Sequence, residues 1–374
     1  MPSTYRVAVI GSTGQGNYGH GLDMVWKNLP QCEVVAVADD HPDGLANAKM
    51  RLGVQQGFES YHSMLEAVQP DLVSVAPRWT HQHRDMVIAA ARAGVKGIYL
   101  EKPVCRSLEE ADEMLEECRK SQTKVAVAHQ TRYSPILKVV YGMVHDGTLG
   151  DLLEIHARGK EDHRGGGEDL WVLGTHVLNL MQFLGGGPQW CTSMILQQGQ
   201  LAGPGDIHPG NEGLGPIAGD AIQAHFALES GAMGRWSSIR DAAAQPSRFG
   251  ITLKGSRGLI TMGTGFLPKA YWLANPSWNT GSNQRPWTPI SSNGPGQLEP
   301  LEDGGLQAGN VLACQDLIAA IEDDRQPESN LADASLTTEM ILGVFESHRT
   351  GKRISFPMSS RQHPLTLPFE WKGS

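Results

Sequence analysis

Short apolar runs alternate with stretches of helical periodicity through the first third of the chain. A short apolar run is typical of a strand buried on both faces of a sheet. The predicted strands are Tyr5–Ile10, Val34–Ala38, Leu72–Ala76, Gly97–Leu100 and Lys124–Ala128. The predicted helices are Leu22–Leu29, Gly44–Leu52, Ser60–Val68, Asp85–Ala93 and Ser107–Ser121. This repeated alternation predicts a mostly parallel, doubly wound sheet that ends near Ala128.

The rest of the chain has a different pattern, in which strand-like segments follow one another across short glycine turns. These segments are Leu152–Ala157, Asp220–Leu228, Gly234–Ile239, Arg248–Lys254 and Gly258–Met262. They predict an antiparallel sheet, with a helix from about Glu168 to Leu184 packed on it. Two stretches rich in Gly, Pro and Trp are expected to be irregular, and two helical patterns close the chain. These four segments are Gln197–Gly219, Gly263–Gly305, Ala308–Asp323 and Ala332–Thr350.

Composition narrows the class of protein. A chain of 374 residues with 19% charged and 40% hydrophobic residues suits two globular domains, and no apolar run is long enough to span a bilayer. The net charge of -9 disfavours a nucleic-acid partner, because phosphate backbones repel an acidic surface. The first strand begins close to Met1, so we expect no targeting segment and a cytoplasmic protein. The five cysteines are scattered, and we expect no metal site.

A glycine-rich turn follows the first strand. Its candidate cofactor-binding residues are Gly11, Ser12, Thr13, Gly14 and Gly16. Counted from Gly11, the glycine spacing does not match the dinucleotide-binding pattern G-x-G-x-x-G. The glycines Gly14, Gly16 and Gly19 do match this pattern, but they begin three residues after Gly11, the residue that directly follows the strand. Either register could bring main-chain amides to a pyrophosphate at a helix N-terminus, and both stay open, as does an ordinary glycine-rich loop.

Asp39 and Asp40 end the second predicted strand. A carboxylate at this position accepts hydrogen bonds from the adenosine ribose hydroxyls and repels the extra phosphate of NADP. We therefore predict a dinucleotide-binding unit that prefers NAD to NADP. The alternative is a solvated acid that begins the turn before Pro42.

These observations predict an α/β fold. An N-terminal Rossmann domain is expected over residues 1–128, and an α+β domain with a large, mostly antiparallel open sheet over residues 129–374. The second domain is expected to bind substrate and to form oligomer contacts, with the helices of 308–350 packed back on the body.

The triplet Glu101-Lys102-Pro103, directly after a predicted strand, resembles a motif of a known protein family. Further motifs agree with it: Pro77 and His81, Arg132-Tyr133-Ser134-Pro135, the Gly150 turn, Gly174-x-His176, and the stretch from Glu346-Ser347 to Pro357. Together they resemble the Gfo/Idh/MocA oxidoreductases over nearly the whole chain. The resemblance implies that Lys102 is catalytic beside the nicotinamide and that Glu101 shapes its turn. It also places Pro77 and His81 along the cofactor and implies that the bond before Pro103 is often cis.

The chemistry explains why a lysine belongs there, because hydride leaves a carbinol carbon only as the hydroxyl proton is removed or shared. His176 is the second catalytic candidate. In the family its helix carries Asp-x-Gly-x-His-x-x-Asp, but here Val172 and Asn179 replace the two acids. Asp169 could stand in for the first acid or could cap the helix. Asn179 could orient substrate or be a buried structural amide.

A charged segment joins the strand that begins at Leu152 to this helix. Its candidate substrate residues are Lys160, Asp162, His163 and Arg164, with a solvated loop as the alternative. Three tryptophans of the second irregular stretch, Trp272, Trp278 and Trp287, could stack on sugar rings or hold the loop in place.

The predicted function is NAD-dependent hydride transfer to or from a hydroxyl-bearing carbon of a sugar, polyol or sugar derivative. Two alternatives stay open, because the acid at position 172 is absent. One is redox-assisted glycoside cleavage with tightly bound NAD, and the other is a non-catalytic NAD or sugar sensor. The expected partners are a small sugar-like molecule and further copies of the chain, as a homodimer or homotetramer, with no nucleic acid and no membrane.

Overall fold

The computed structural model describes residues 4–281 and 286–370, so residues 282–285 of the second irregular stretch lie outside the described part. The chain forms two compact units. The first unit contains the segment up to Gln130, with Glu212–Leu214 and Leu306–Ser335 added. The second contains Thr131–Asn211, the described parts of Gly215–Gly305, and the chain from Leu336. Helix Gly305–Glu322 therefore belongs almost wholly to the unit formed by the N-terminal residues.

A six-stranded parallel sheet organises the first unit, in the order β3-β2-β1-β4-β5-β6. Its strands are β1 (Tyr5–Ile10), β2 (Cys32–Ala38), β3 (Gln56–Phe58), β4 (Leu72–Val75), β5 (Gly97–Leu100) and β6 (Lys124–Val127). Its first helices are α1 (Pro42–Leu52), α2 (Tyr61–Val68), α3 (His83–Arg92) and α4 (Leu108–Ser121). Because helices cover both faces, the strands are continuous apolar runs, and Val7 to Ile10 of β1 are almost fully buried.

The second unit contains an eleven-stranded sheet among the described residues, with one parallel pair, β7 with β13. Its order is β18-β17-β16-β15-β14-β7-β13-β12-β8-β19, and β9 pairs with β8. The strands are β7 (Leu152–Arg158), β8 (Pro188–Gln197), β9 (Gln200–Leu201), β12 (Ala221–Leu228), β13 (Met233–Ile239), β14 (Gly250–Gly255), β15 (Gly258–Met262), β16 (Ala270–Leu273), β17 (Thr288–Ser291), β18 (Gly294–Pro295) and β19 (Ile354–Ser355). A separate pair is formed by β10 (His208–Pro209) and β11 (Pro216–Ile217).

Five helices complete the described chain: α5 (Pro135–His145), α6 (Gly167–Val172), α7 (Gly174–Gly185), α8 (Gly305–Glu322) and α9 (Leu331–Thr350). The predicted fold class, a parallel Rossmann-like sheet followed by a large and mostly antiparallel one, is confirmed.

The helix predicted at Leu22–Leu29 is wrong. The segment forms two 3₁₀ turns, Gly19–Gly21 and Val25–Asn28, and no α-helix connects β1 to β2. His20 and Gly21 both have positive φ, which interrupts right-handed winding at its start. Its apolar residues, such as Leu22 and Trp26, are nevertheless fully buried, so the helical spacing reports a buried face rather than a helix.

Several other elements also differ from the sequence prediction. The helix expected from Glu168 to Leu184 is two helices, α6 and α7, divided at Leu173. Strand β8 was not predicted, because its mixed polar and apolar residues lack a clear period of two. The stretch expected to be irregular from Gly263 contains β16, β17 and β18.

Candidate active site

The glycine turn after β1 folds back on itself. Ser12 and Asn17 form an antiparallel bridge, and the Gln15 amide donates to the Ser12 carbonyl at 3.0 Å. Gly14 and Gly16 have φ of 86° and 96°, a region that favours glycine. A Cβ on Gly16 would lie 2.4 Å from the Arg78 amide nitrogen, so this close approach also requires glycine.

Asp39 lies at the end of β2, as the sequence predicts, and is almost fully buried. Its Oδ1 accepts the amides of Thr13 at 3.1 Å and of His41 at 3.0 Å. Its Oδ2 accepts the hydroxyls of Thr13 at 2.7 Å and of Tyr18 at 2.8 Å. The neighbouring Asp40 is exposed, and the Ser12 hydroxyl lies 3.4 Å from its Oδ1. Two carboxylates and a tight glycine backbone therefore meet at this edge of the sheet, and groups of these kinds hold the ribose and phosphates in dinucleotide-binding units.

Pro77 and His81 follow β4. Pro77 is buried, and its carbonyl oxygen lies 2.7 Å from Nε2 of His83, the first residue of α3. His81 is half-buried in a 3₁₀ turn beside Trp79, and burial lowers its pKa.

Glu101 and Lys102 follow β5, the neighbour of β4. Lys102 is 5% exposed, and its amide donates to Oε2 of Glu101 at 2.6 Å. The bond between Lys102 and Pro103 is cis. Glu101 is fully buried and pairs through Oε1 with Nδ1 of His20. Burial acts to raise the pKa of Glu101, but the charges of His20 and Lys102 and their hydrogen bonds hold it below its usual value.

The contact between His20 and Glu101 was missed by the sequence reasoning. Asn310 of α8 fixes the same turn, because its amide donates to the His20 carbonyl at 2.9 Å. The Tyr99 hydroxyl in turn donates to the Asn310 side-chain oxygen at 2.7 Å. The partners are separated by tens or hundreds of residues along the chain, so no local sequence signal could have revealed these contacts.

His176 lies in the first turn of α7 and is half-buried. Val172, at the end of α6, is 4% exposed. Asn179 is fully buried; its side-chain oxygen accepts from Arg132 and its nitrogen donates to Thr337, both at 3.1 Å. These contacts give Asn179 the geometry of the structural amide that we named as its alternative.

Asp169 is fully buried beneath the charged segment that precedes α6. It accepts the amides of Lys160 at 3.2 Å and Glu161 at 3.0 Å, and the Ser238 hydroxyl at 2.5 Å. Burial raises its pKa in spite of these hydrogen bonds. The carboxylate therefore anchors the segment from within.

Within the charged segment, two of the four candidate residues are engaged with each other. The Arg164 guanidinium donates to both oxygens of Asp162, at 2.6 and 3.0 Å, and this pairing holds the pKa of Asp162 well below its usual value. The side chains of Lys160 and His163 are 48% and 81% exposed, so these two are the more accessible of the four candidates.

No group of three or more His, Cys, Asp or Glu side chains within residues 4–281 and 286–370 is placed to hold a metal ion. In the same part of the chain, no helix is both long enough and apolar enough to cross a membrane.

Comparison with known proteins adds to this geometry. Residues 5–129 match an oxidoreductase family with an NAD-binding Rossmann fold, GFO_IDH_MocA. Over this segment the chain is similar to the Gfo/Idh/MocA oxidoreductases. The predicted NAD-binding Rossmann fold is thereby confirmed, and the resemblance to this oxidoreductase family is confirmed over residues 5–129.

Among the relatives is levoglucosan dehydrogenase of Pseudarthrobacter phenanthrenivorans, 24% identical over 67% of this chain and 72% of that protein. A solved levoglucosan dehydrogenase in complex with NADH and levoglucosan has a TM-score of 0.77 at 18% identity, over 95% of this chain and 100% of that one, which shows a shared fold. Myo-inositol 2-dehydrogenase of Thermotoga maritima is 30% identical over 38% of this chain and 42% of that protein. A glycosyl hydrolase family 109 protein of Streptomyces coelicolor is 28% identical over 41% of this chain and 33% of that protein.

Proposed function

We propose that the protein is an NAD-dependent dehydrogenase that acts on a hydroxyl-bearing carbon of a sugar, polyol or sugar derivative. The observation that carries the proposal is Lys102, almost fully buried at the carboxyl end of a parallel strand, the edge at which such sheets bind ligands. Similarity to a levoglucosan dehydrogenase and to a myo-inositol 2-dehydrogenase supports the substrate class.

Lys102 and His176 are the proposed catalytic residues. An ammonium or amine at Lys102 can hydrogen-bond the reacting hydroxyl and move its proton, and the imidazole of His176 can serve as a base near neutral pH. Glu101 fixes the main chain of Lys102. NAD, when bound, supplies the hydride acceptor or donor.

The cofactor and substrate contacts belong to the same proposal. Gly11, Ser12, Thr13, Gly14, Gly16, Asp39, Pro77, His81 and Glu101 are proposed to line the cofactor. Asp39 and exposed Asp40 would disfavour the extra phosphate of NADP. Lys160 and His163 are the accessible candidates for substrate hydroxyls, while Asp162, Arg164, Asp169 and Asn179 would act chiefly by holding their neighbours in place.

The exposed apolar side chains of the large sheet support a proposed homodimer or homotetramer. Met194, Met233, Ile239 and Tyr271, on β8, β13 and β16, are each 40% or more exposed. Light scattering should then give a mass of two or four chains, and a monomer at micromolar concentration would contradict this part of the proposal.

A second candidate, redox-assisted glycoside cleavage, is favoured by Val172 in place of the family acid and by similarity to a glycosyl hydrolase family 109 protein. A panel of sugars, polyols and aryl glycosides separates the candidates. A dehydrogenase changes the bulk NADH absorbance, a redox-assisted glycosidase releases the aglycone without net NADH, and a sensor does neither.

Variants test the catalytic assignment. Lys102→Ala and His176→Ala should each lower turnover by about two orders of magnitude while cofactor binding persists. Exposed residues of the same types provide controls, and Lys120→Ala and His145→Ala should leave turnover unchanged. Near-normal turnover in either catalytic variant would remove that residue from the mechanism.

A further inference from the structure

Several main-chain amides of the glycine turn already have partners within the turn. The amides of Ser12 and Asn17 each donate to the other residue's carbonyl, at 3.3 and 2.9 Å. The Gly14 amide donates to the Asn17 side-chain oxygen at 2.9 Å. These three amides are therefore not directed at a pyrophosphate, and no α-helix follows the turn to present further amides.

Asp39 is equally engaged. A carboxylate has about four lone-pair sites, and four donors from Thr13, His41 and Tyr18 already contact this one. Ribose hydroxyls can bind Asp39 only if a donor leaves. Two of the four donors are main-chain amides. The third, the Thr13 hydroxyl, is enclosed by α1, since a Cβ on Gly44 would lie 2.1 Å from it.

The fourth donor, the Tyr18 hydroxyl, belongs to a half-buried side chain that lies on the first glycine of the turn. A Cβ on Gly11 would lie 2.1 Å from the ring carbon that bears this hydroxyl. The Arg51 guanidinium covers the ring at 4.6 Å and pairs with Asp23 at 2.8 Å. The ring therefore occupies the surface of Gly11, where dinucleotide-binding turns let the cofactor approach the main chain.

We propose that Tyr18 sets the cofactor affinity of this protein by competing with the adenosine ribose for Oδ2 of Asp39. NAD binds when the phenol withdraws from Asp39 and from Gly11. Displacing the Tyr18 side chain costs free energy, and this cost weakens the binding of NAD. Burial, followed by the hydrogen bond and charge of Asp39, raises the pKa of Tyr18 and keeps the phenol a donor at neutral pH. The inference rests on the proposed use of NAD.

The test is calorimetric titration of Tyr18→Phe with NAD. This variant keeps the ring and removes the competing donor, so we expect it to bind NAD about five- to tenfold more tightly than the unmodified protein does. The gain in affinity is smaller than the full strength of a hydrogen bond to a charged group, because water replaces the phenol as a donor to Asp39. Tyr5→Phe is the matched control, because the Tyr5 hydroxyl also donates to a carboxylate of the first unit, Glu322, at 3.2 Å. That control should bind NAD unchanged.

Fragments of the cofactor locate the effect. AMP, which carries the adenosine ribose, should gain affinity in Tyr18→Phe by the same factor as NAD, whereas nicotinamide mononucleotide should gain none. Tyr18→Leu lacks both the hydroxyl and the ring and should show at least the same gain, so it replaces the Phe variant if that one does not fold. Unchanged or weaker NAD binding in a folded Tyr18 variant overturns the inference. Failure of all the folded proteins, including the unmodified one, to bind NAD instead refutes the proposed function, and the inference falls with it.

Discussion

The imidazole of His83 lies between two turns, with Nδ1 2.8 Å from the carbonyl oxygen of Pro103 and Nε2 2.7 Å from that of Pro77. Pro77 follows β4, and Pro103 follows Lys102 after β5. The histidine is fully buried, and burial lowers its pKa against the opposing effect of the two carbonyl hydrogen bonds. A neutral ring donates to one carbonyl at a time. His83 therefore sets the spacing between the turn after β4 and the turn that carries Lys102.

Removing this ring should be costly. His83→Ala leaves a cavity and removes the hydrogen bond that the ring donates to one of the two carbonyl groups, so we expect the free energy of unfolding to fall by about 2–4 kcal/mol. Urea unfolding followed by circular dichroism measures the change. The control is His62→Ala, at an exposed histidine of the same unit, which should stay within about 0.5 kcal/mol of the unmodified protein. A His83 variant as stable as that control would show that the ring does not hold the two turns together.

The sequence predicted the first unit well because its strands are buried on both faces. β1 and β5 begin and end at the predicted residues, and Ser107 accepts the Glu110 amide at the start of α4 as a cap should. The Leu22–Leu29 segment failed because burial of one face, which its spacing reports, does not require α-helical winding. The positive φ of His20 and Gly21 is not α-helical, and the helix propensity of the residues that follow did not produce an α-helix.

The sequence predicted the residues of the candidate site better than it predicted the contacts between them. Asp39 lies where the strand pattern predicts it, but its partner Tyr18 is 21 positions away and had no motif to mark it. Asp169 fits the helical face expected of a substitute acid, yet its oxygens are bound by a loop that folds over it. Such pairings depend on tertiary packing, which periodicity does not encode.

His348 should make stability depend on pH. Its Nδ1 accepts the Ile195 amide at 3.2 Å and its Nε2 donates to the Ala202 carbonyl at 2.7 Å, so the folded protein selects the neutral ring. Burial lowers the pKa of His348, and the Ala202 hydrogen bond only partly opposes this. Below a pH of about 6.5, His348 then binds a proton more readily in the unfolded chain than in the folded protein. The stability that the neutral His348 ring contributes is lost as the pH falls through the pKa of His348 in the folded protein.

The measurement is the free energy of unfolding from pH 8 down to pH 5 for the unmodified protein and for His348→Gln. Glutamine keeps an acceptor and a donor but does not titrate near neutral pH. We expect the unmodified protein to lose more stability than the variant on acidification below a pH of about 6.5. Parallel curves would mean that His348 has the same pKa in the folded and unfolded chains.

The two acids at the end of β2 predict the choice of cofactor. NAD should bind at least about tenfold more tightly than NADP, a difference of about 1.4 kcal/mol, because Asp39 and Asp40 repel the additional phosphate. Asp40→Asn removes the exposed charge and should narrow the difference, whereas Asp43→Asn, in the first turn of α1, is the control and should preserve most of it. Equal or tighter binding of NADP to the unmodified protein in calorimetric titration would refute the preference.

Val172 stands where the family pattern has an acid, so variants at this position test whether the site needs that acid. Restoring the family residue with Val172→Asp would place a carboxylate four residues before His176, across the division between α6 and α7, and a carboxylate close to the ring would stabilise a protonated imidazole. The structure sets the cost of that change, because Val172 is 4% exposed and a carboxylate in its place would be poorly solvated. We therefore expect Val172→Asp to lose about 1–3 kcal/mol of stability. Val172→Ala, which loses only bulk, should lose about 1–2 kcal/mol.

Activity then separates the two accounts of the site. If the proton chemistry rests on Lys102 and His176 alone, the folded fraction of Val172→Asp should oxidise the preferred sugar at least as fast as the unmodified protein. If the site has been rebuilt around Val172 for another reaction, the new carboxylate would crowd the substrate, and NAD-linked oxidation would fall even after correction for the folded fraction. That second outcome, with Val172→Ala still active, would count against a simple dehydrogenase and favour glycoside cleavage.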